Sequence, residues 1–302
     1  MLGKLVAIFA VIGVGWGAGR LRVVEPAAAG TLAGVTFSVF TPALLFRTTS
    51  GIAVTALPWT MLVAYFVPAV LLLLAVCAWR RFRMPEGAVW GLAVSFSNTV
   101  QLGVPIVTAL YGAPGLGLLV AVISLQSLVL LTVATVLVEA GSAGGEPGTV
   151  RRTARRSLVH PVVSPILLGL AYHATGLGLS GPADDVLRTL ASAVVPLSLF
   201  TIGLTLRRYG VRGYVRPAVT MAALKLLILP AAVLAVAYLF GLRGLPLSIA
   251  VMCAALPIGA NVLLFANRYD ALQPEATAAI VASTTAFVLT APLWLVVTSA
   301  LA

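Results

Sequence analysis

The sequence is short of acid. Its 302 residues include only eight Asp and Glu, two His and two Cys, and each shortage removes a class of chemistry. The acids are Glu25, Glu86, Glu139, Glu146, Asp184, Asp185, Asp270 and Glu275. All fall between the apolar runs or at their ends, so no carboxylate remains inside a run to relay protons or to hold a metal-bound pyrophosphate. Cys77 and Cys253 show no metal-ligand spacing and read as small buried hydrophobes. No HExxH helix and no nucleophile paired with a base is present, which argues against an enzyme working on lipid or prenyl substrates and implies no cofactor. His160 and His173, near opposite ends of one apolar run, read as structural. With charged residues at 9%, too little charge is left to solvate the surface of a water-soluble chain.

What is present is apolar. Hydrophobic residues make up 61% of the chain, and at roughly 20 residues per crossing the runs divide into about ten membrane helices. Their limits are 4–20, 31–50, 58–79, 86–110, 116–139, 160–177, 186–206, 216–240, 245–267 and 275–300. The stretch from Met1 to Gly19 has only Lys4 ahead of its apolar residues and no small-x-small cleavage site, so it reads as span one rather than a leader. Gly13, Gly15, Gly17 and Gly19 form overlapping GxxxG pairs suited to close helix contact. The fold class expected is an all-α polytopic membrane protein.

Basic residues crowd alternate loops: Arg20 and Arg22; Arg80, Arg81 and Arg83; Arg151, Arg152, Arg155 and Arg156; Arg207, Arg208, Arg212 and Arg216; and Arg268. The opposite loops keep Lys4, Arg47, Arg188 and Arg243. By the positive-inside rule both termini lie on the non-cytoplasmic side of a bacterial-type inner membrane. Topology accounts for the net charge of +11, so no nucleic-acid partner is implied.

A glycine-rich, basic stretch at 141–158 reads as a cytoplasmic linker between halves at 1–140 and 159–302, its Arg end lying near anionic headgroups. The halves share an order of features. Pro42-Ala43-Leu44-Leu45-Phe46 corresponds to Pro196-Leu197-Ser198-Leu199-Phe200, Tyr111 to Tyr269, and Ser124 to Ser283. An odd number of spans per half means that the second half enters from the other side, so the repeat is inverted.

Two segments break the apolar pattern: Ser97-Asn98-Thr99-Val100-Gln101-Leu102-Gly103-Val104-Pro105 in span four and Leu256-Pro257-Ile258-Gly259-Ala260-Asn261 in span nine. Pro105 and Pro257 cannot donate to the carbonyls four residues earlier, so both helices are expected to break there and to leave backbone groups unpaired. A half-helix starting at such a gap presents N–H groups and partial positive charge, which suits an anion and a carboxylate in particular. Asn98, Thr99, Gln101 and Asn261 supply side-chain partners, while Gly103, Pro105, Pro257 and Gly259 shape the backbone. The alternative is that these side chains only satisfy the broken backbone.

Asn98-Thr99 with Gly103-Val104-Pro105-Ile106 resembles the NTxxxG(I/V)P segment of the auxin efflux carrier family, whose bacterial members include proposed malonate and malate carriers. Leu256-Pro257 through Phe265-Ala266-Asn267-Arg268-Tyr269 is similar to that family's second crossover segment, and His160-Pro161 stands where Asn-Pro is more usual. The resemblance implies a fold like that of bile acid sodium symporters and NhaA-type antiporters, with ten helices and crossed helices four and nine. It further implies a scaffold from spans one, two, six and seven, a transport domain from spans three to five and eight to ten, elevator-type alternating access, and a homodimer.

Lys225 lies within span eight, roughly 13 Å from its cytoplasmic end at about 1.5 Å per residue. It is either a fixed charge that balances an anion or stands where a related carrier binds a cation, or else a side chain snorkelling to the surface. Ser124, Gln126, Ser127, Ser283, Thr284 and Thr285 could hold sodium, although such residues commonly bond helix to helix. These features point to a carrier of a small mono- or dicarboxylate driven by its own gradient and the membrane potential. A sodium- or proton-coupled symporter, and after it a channel, are the alternatives.

Overall fold

The computed structural model describes residues 2–25, 28–51, 58–80, 84–141, 162–208 and 214–301. Beyond Gly141, the linker expected at 141–158 lies outside these residues, as does His160. Among the described residues every regular element is helical, and six helices are long and apolar enough to cross a membrane. Three shorter apolar helices accompany them.

In chain order the helices are α1 (Leu2–Arg20), α2 (Ala28–Thr49), α3 (Trp59–Arg80), α4 (Glu86–Ser95), α5 (Thr99–Ala140), α6 (Val163–Ala174), α7 (Gly181–Ser192), α8 (Val194–Arg208), α9 (Val215–Leu239), α10 (Gly244–Ala255), α11 (Asn261–Arg268) and α12 (Gln273–Leu301). At 42 residues, α5 would be about 63 Å long if straight, twice a bilayer's hydrocarbon thickness of about 30 Å. It is not straight. Gly112 takes φ 66° and ψ −157°, a conformation open to glycine, and Pro114 follows it; together they turn the helix where the sequence places the boundary between spans four and five.

The chain divides into two compact units. The first comprises residues 1–58, 99–124 and 159–208, and the second 59–98, 125–158 and 209–302.

In the first unit α1 packs along α8. The approach is close because glycines face backbone: a Cβ on Gly15 would overlap the Phe200 carbonyl, and one on Gly203 the Ile12 carbonyl. Of the glycines expected to make contact in α1, Gly15 does so, whereas Gly13 and Gly17 have nothing within 4 Å of a built Cβ. The α2 helix packs on α6 and α7, where Gly169 lies against Thr49. Arg47 Nε and Arg188 Nη2 each donate to the Asp184 carboxylate at 2.6 Å, and His173 Nδ1 lies 3.0 Å from the Ser50 carbonyl. That bond gives His173 a structural role, as its isolation in the sequence suggested.

In the second unit α4 and α10 form the interior. Residues 87–95 of α4 and 247–255 of α10 are buried on every side, because both helices are apolar all round. The α3, α9 and α12 helices pack against α10, and α3 and the end of α5 pack against α4. In α9 the backbone widens to a π-turn at Leu224–Ile228 just before Pro230. Proline there removes the donor that the Leu226 carbonyl would otherwise receive. The Trp294 indole replaces it, with Nε1 2.8 Å from Leu226 O.

Candidate functional site at a crossing of two interrupted helices

Helix α4 ends at Ser95, and Phe96 is extended at φ −88°, ψ 112°. Helix α10 ends at Ala255, and Leu256 is extended at φ −59°, ψ 151°. The two extended segments pair with each other. Ser97 and Ile258 form an antiparallel bridge, flanked by Asn98 N–H donating to Pro257 O at 2.8 Å and Gly259 N–H donating to Phe96 O at 3.0 Å. Each interruption thus consumes backbone groups of the other, which is how non-helical backbone persists in an apolar interior.

Gly259 permits the approach. A Cβ there would lie 2.8 Å from Phe96 Cδ1 and 3.0 Å from Ser97 O, too close for any side chain without displacing the pair. Pro257 sits in the interruption, as expected. Pro105 does not. The first break is at 96–98, and Pro105 lies in the first turn after a π-turn at Thr99–Gly103. A wider turn absorbs the missing N–H without ending the helix, so proline marked the neighbourhood of the break but not its position.

The expectation of bare helix starts is corrected in the same way. At the second break the Val262 and Leu263 N–H groups turn back onto Gly259 O and Ala260 O at 3.1 and 3.0 Å. Short 3₁₀-type bonds are a common way for a helix start to satisfy itself. What stays available is narrower. Among the described residues neither the Ala260 and Asn261 N–H groups nor the half-buried Asn261 amide bonds to another residue, and α11 has no side-chain cap. At the first break Asn98 and Gln101 are half-buried and Thr99 is buried; all three are engaged in interactions of their own. Gly103 and Pro105 are buried.

Polar side chains from neighbouring helices hold the crossing. Gln126 donates from Nε2 to Ser97 O at 2.8 Å and receives the Tyr65 hydroxyl at Oε1 at 2.9 Å; Tyr65 Oη also lies 3.1 Å from Ser97 Oγ. Across the bridge, Ser283 Oγ accepts the Ile258 N–H at 3.1 Å. Lys225 is 0% exposed, and its ammonium donates to the Ala254 carbonyl at the end of α10. Snorkelling is therefore excluded: the side chain turns inward. Ser124, Thr284 and Thr285 bond to carbonyls of their own helices, so of the polar residues considered for sodium, Gln126 and Ser283 are the two that reach the crossing. Tyr65 escaped the sequence reading. The signal was there, a phenol in the middle of the otherwise apolar α3, whose hydroxyl needs a buried partner.

An all-helical chain with several helices of membrane-crossing length is a polytopic membrane protein. Comparison with known proteins adds the family: residues 1–295 match the family described as membrane transport protein, and the chain belongs to it. This is the auxin efflux carrier family that the span-four segment resembles. The chain is 30% identical over 220 residues to an uncharacterized transporter of Methanothermobacter thermautotrophicus, covering 72% of this chain and 71% of that one. It is 24% identical over 234 residues to auxin efflux carrier component 8 of Arabidopsis thaliana, covering 61% and 64%. It is also 25% identical over 214 residues to a Rhizobium meliloti protein named "Putative malonate transporter", covering 68% and 65%. The protein is a membrane transporter.

Proposed function

We propose that this transporter carries a small organic anion, a mono- or dicarboxylate, bound beside the crossing of its interrupted helices. One observation carries the reading: among the described residues the Asn261 amide and the Ala260 and Asn261 N–H groups are unspent at the start of α11, next to a crossing where the Asn98 and Gly259 N–H groups are already paired. Donors at a helix start favour negative charge, and a carboxylate accepts from several at once. From the resemblance of the two interrupted segments to the family's crossover segments, Asn98, Thr99 and Gln101 are assigned to substrate binding with Asn261, and Gly103, Pro105, Pro257 and Gly259 to the backbone of their own segments. Relatives named for auxin and malonate, both carboxylates, support the substrate class.

In this reading the chain forms ten membrane helices in two inverted repeats, 1–140 and 159–302, joined by a cytoplasmic linker, with both termini outside an inner membrane. The α4 helix with the part of α5 before Gly112 counts as span four, and α10 with α11 as span nine. Spans one, two, six and seven serve as scaffold and dimer surface. The remaining spans move the substrate by an elevator-type cycle. Support comes from the grouping of the scaffold spans in the first unit and of spans three, eight, nine and ten in the second, although residues 99–124 of spans four and five group with the scaffold spans. The test is uptake into proteoliposomes, screened across organic acids with membrane potential varied. A saturable carboxylate flux that falls about tenfold in Asn261→Ala supports the site; wild-type flux in that variant removes Asn261 from it.

A further inference from the structure

Interrupting a membrane helix leaves carbonyls at the end of its first half without donors, and carriers commonly fill such positions with a cation. At the end of α10 the Cys253 carbonyl loses its donor because residue 257 is proline. The Ala254 carbonyl loses its own because the Ile258 N–H has gone to Ser283. The group that comes to this helix end is the ammonium of Lys225. It is completely buried and pairs with no carboxylate among the described residues. It is placed by the π-turn of α9, which ends just before Pro230.

We propose that Lys225 is a tethered counter-cation: it occupies, as part of the chain, the position at the carboxyl end of α10 that a sodium ion would otherwise fill. The geometry is what a bound cation requires, a helix end with its negative dipole and a carbonyl that faces the charge in a fully buried position. The consequence for transport rests on the anion-carrier reading. A fixed positive charge beside a monocarboxylate makes the loaded state electrically neutral there, so substrate crosses without a co-transported cation and the empty return carries the voltage dependence.

The test uses the full-length protein in detergent and needs no substrate. Wild type should melt at the same temperature in sodium chloride and choline chloride. Lys225→Ala should melt about 5 °C or more lower in choline and recover in sodium or ethylammonium chloride, because the truncated side chain leaves room for a free cation. Lys225→Ser, whose hydroxyl helps to hold an ion, should behave likewise, and Lys225→Met, which fills the space, should respond to neither salt. In proteoliposomes loaded with auxin, a monocarboxylate, flux through Lys225→Ala should drop about tenfold without sodium and return with it. A wild type that itself requires sodium overturns the proposal. So do Lys225→Ala and Lys225→Ser proteins that are indifferent to all three salts, or that fold in none of them. If wild type moves no organic acid, the function reading falls while the melting responses still decide the role of Lys225.

Discussion

At the first interruption a neutral pair does the holding: Gln126 donates to Ser97 O and is itself fastened by Tyr65. At the second, Ser283 accepts the Ile258 N–H and a buried ammonium meets the Ala254 carbonyl. The two segments carry similar punctuation in sequence, an Asn, a Gly and a Pro, yet they solve the same backbone problem with different charge. The difference follows from which ends meet which helices. The first interruption receives an amide from the far part of α5, and the second lies beside the widened turn of α9. A neutral clamp can hold the crossing together; a charged one also changes what the site accepts, because it sets the local potential.

The largest expected effect comes from destroying the crossing on which the comparison depends. Gly259→Val should destabilise the protein by about 3 kcal/mol or more, since its side chain must displace Phe96 and the Ser97 carbonyl. Thermal melting in detergent measures it, and a variant that melts like wild type would mean that the segments do not approach as described. Gln126→Leu comes next. It strands Ser97 O and the Tyr65 hydroxyl in an apolar interior at a cost of about 2 to 3 kcal/mol, and no added salt should restore it. Rescue of Gln126→Leu by sodium would erase the distinction between the two breaks.

Smaller changes sharpen the contrast. Ser283→Ala leaves the Ile258 N–H without its acceptor and should cost about 1 to 2 kcal/mol, read from the same melting curve. Tyr65→Phe removes one hydroxyl from a three-group cluster and should cost about 1 kcal/mol. Asn261→Ala should change stability by less than about 0.5 kcal/mol, because its half-buried amide bonds to no other residue among those described, while carboxylate flux falls. A large loss of stability in that variant would show that the amide holds the fold rather than the substrate.

Much of the fold could be read along the chain, because membrane helices announce themselves by length and by scarcity of charge. The proline and glycine punctuation located both irregular segments. The sequence reading put the first break near Pro105, whereas it lies at 96–98, since a single π-turn lets proline sit in a continuing helix. Lys225 was recognisable as an anomaly, but whether it turns inward or outward depends on a carbonyl 29 positions further along the chain. Tyr65 and Gln126 were separately visible as polar groups in apolar runs, and nothing in their spacing tells that they share Ser97.

Composition and periodicity determined that this chain is helical, membrane-embedded and interrupted twice, because burial of apolar surface and the exclusion of unsatisfied backbone act on each segment locally. Tertiary structure alone decided that the two interruptions pair with each other, that Lys225 serves the second while Gln126 serves the first, and that Asn261 keeps its donors. Hydrogen bonds across a fold are settled by which distant groups arrive within about 3 Å, and the linear order of residues carries no distance of that kind.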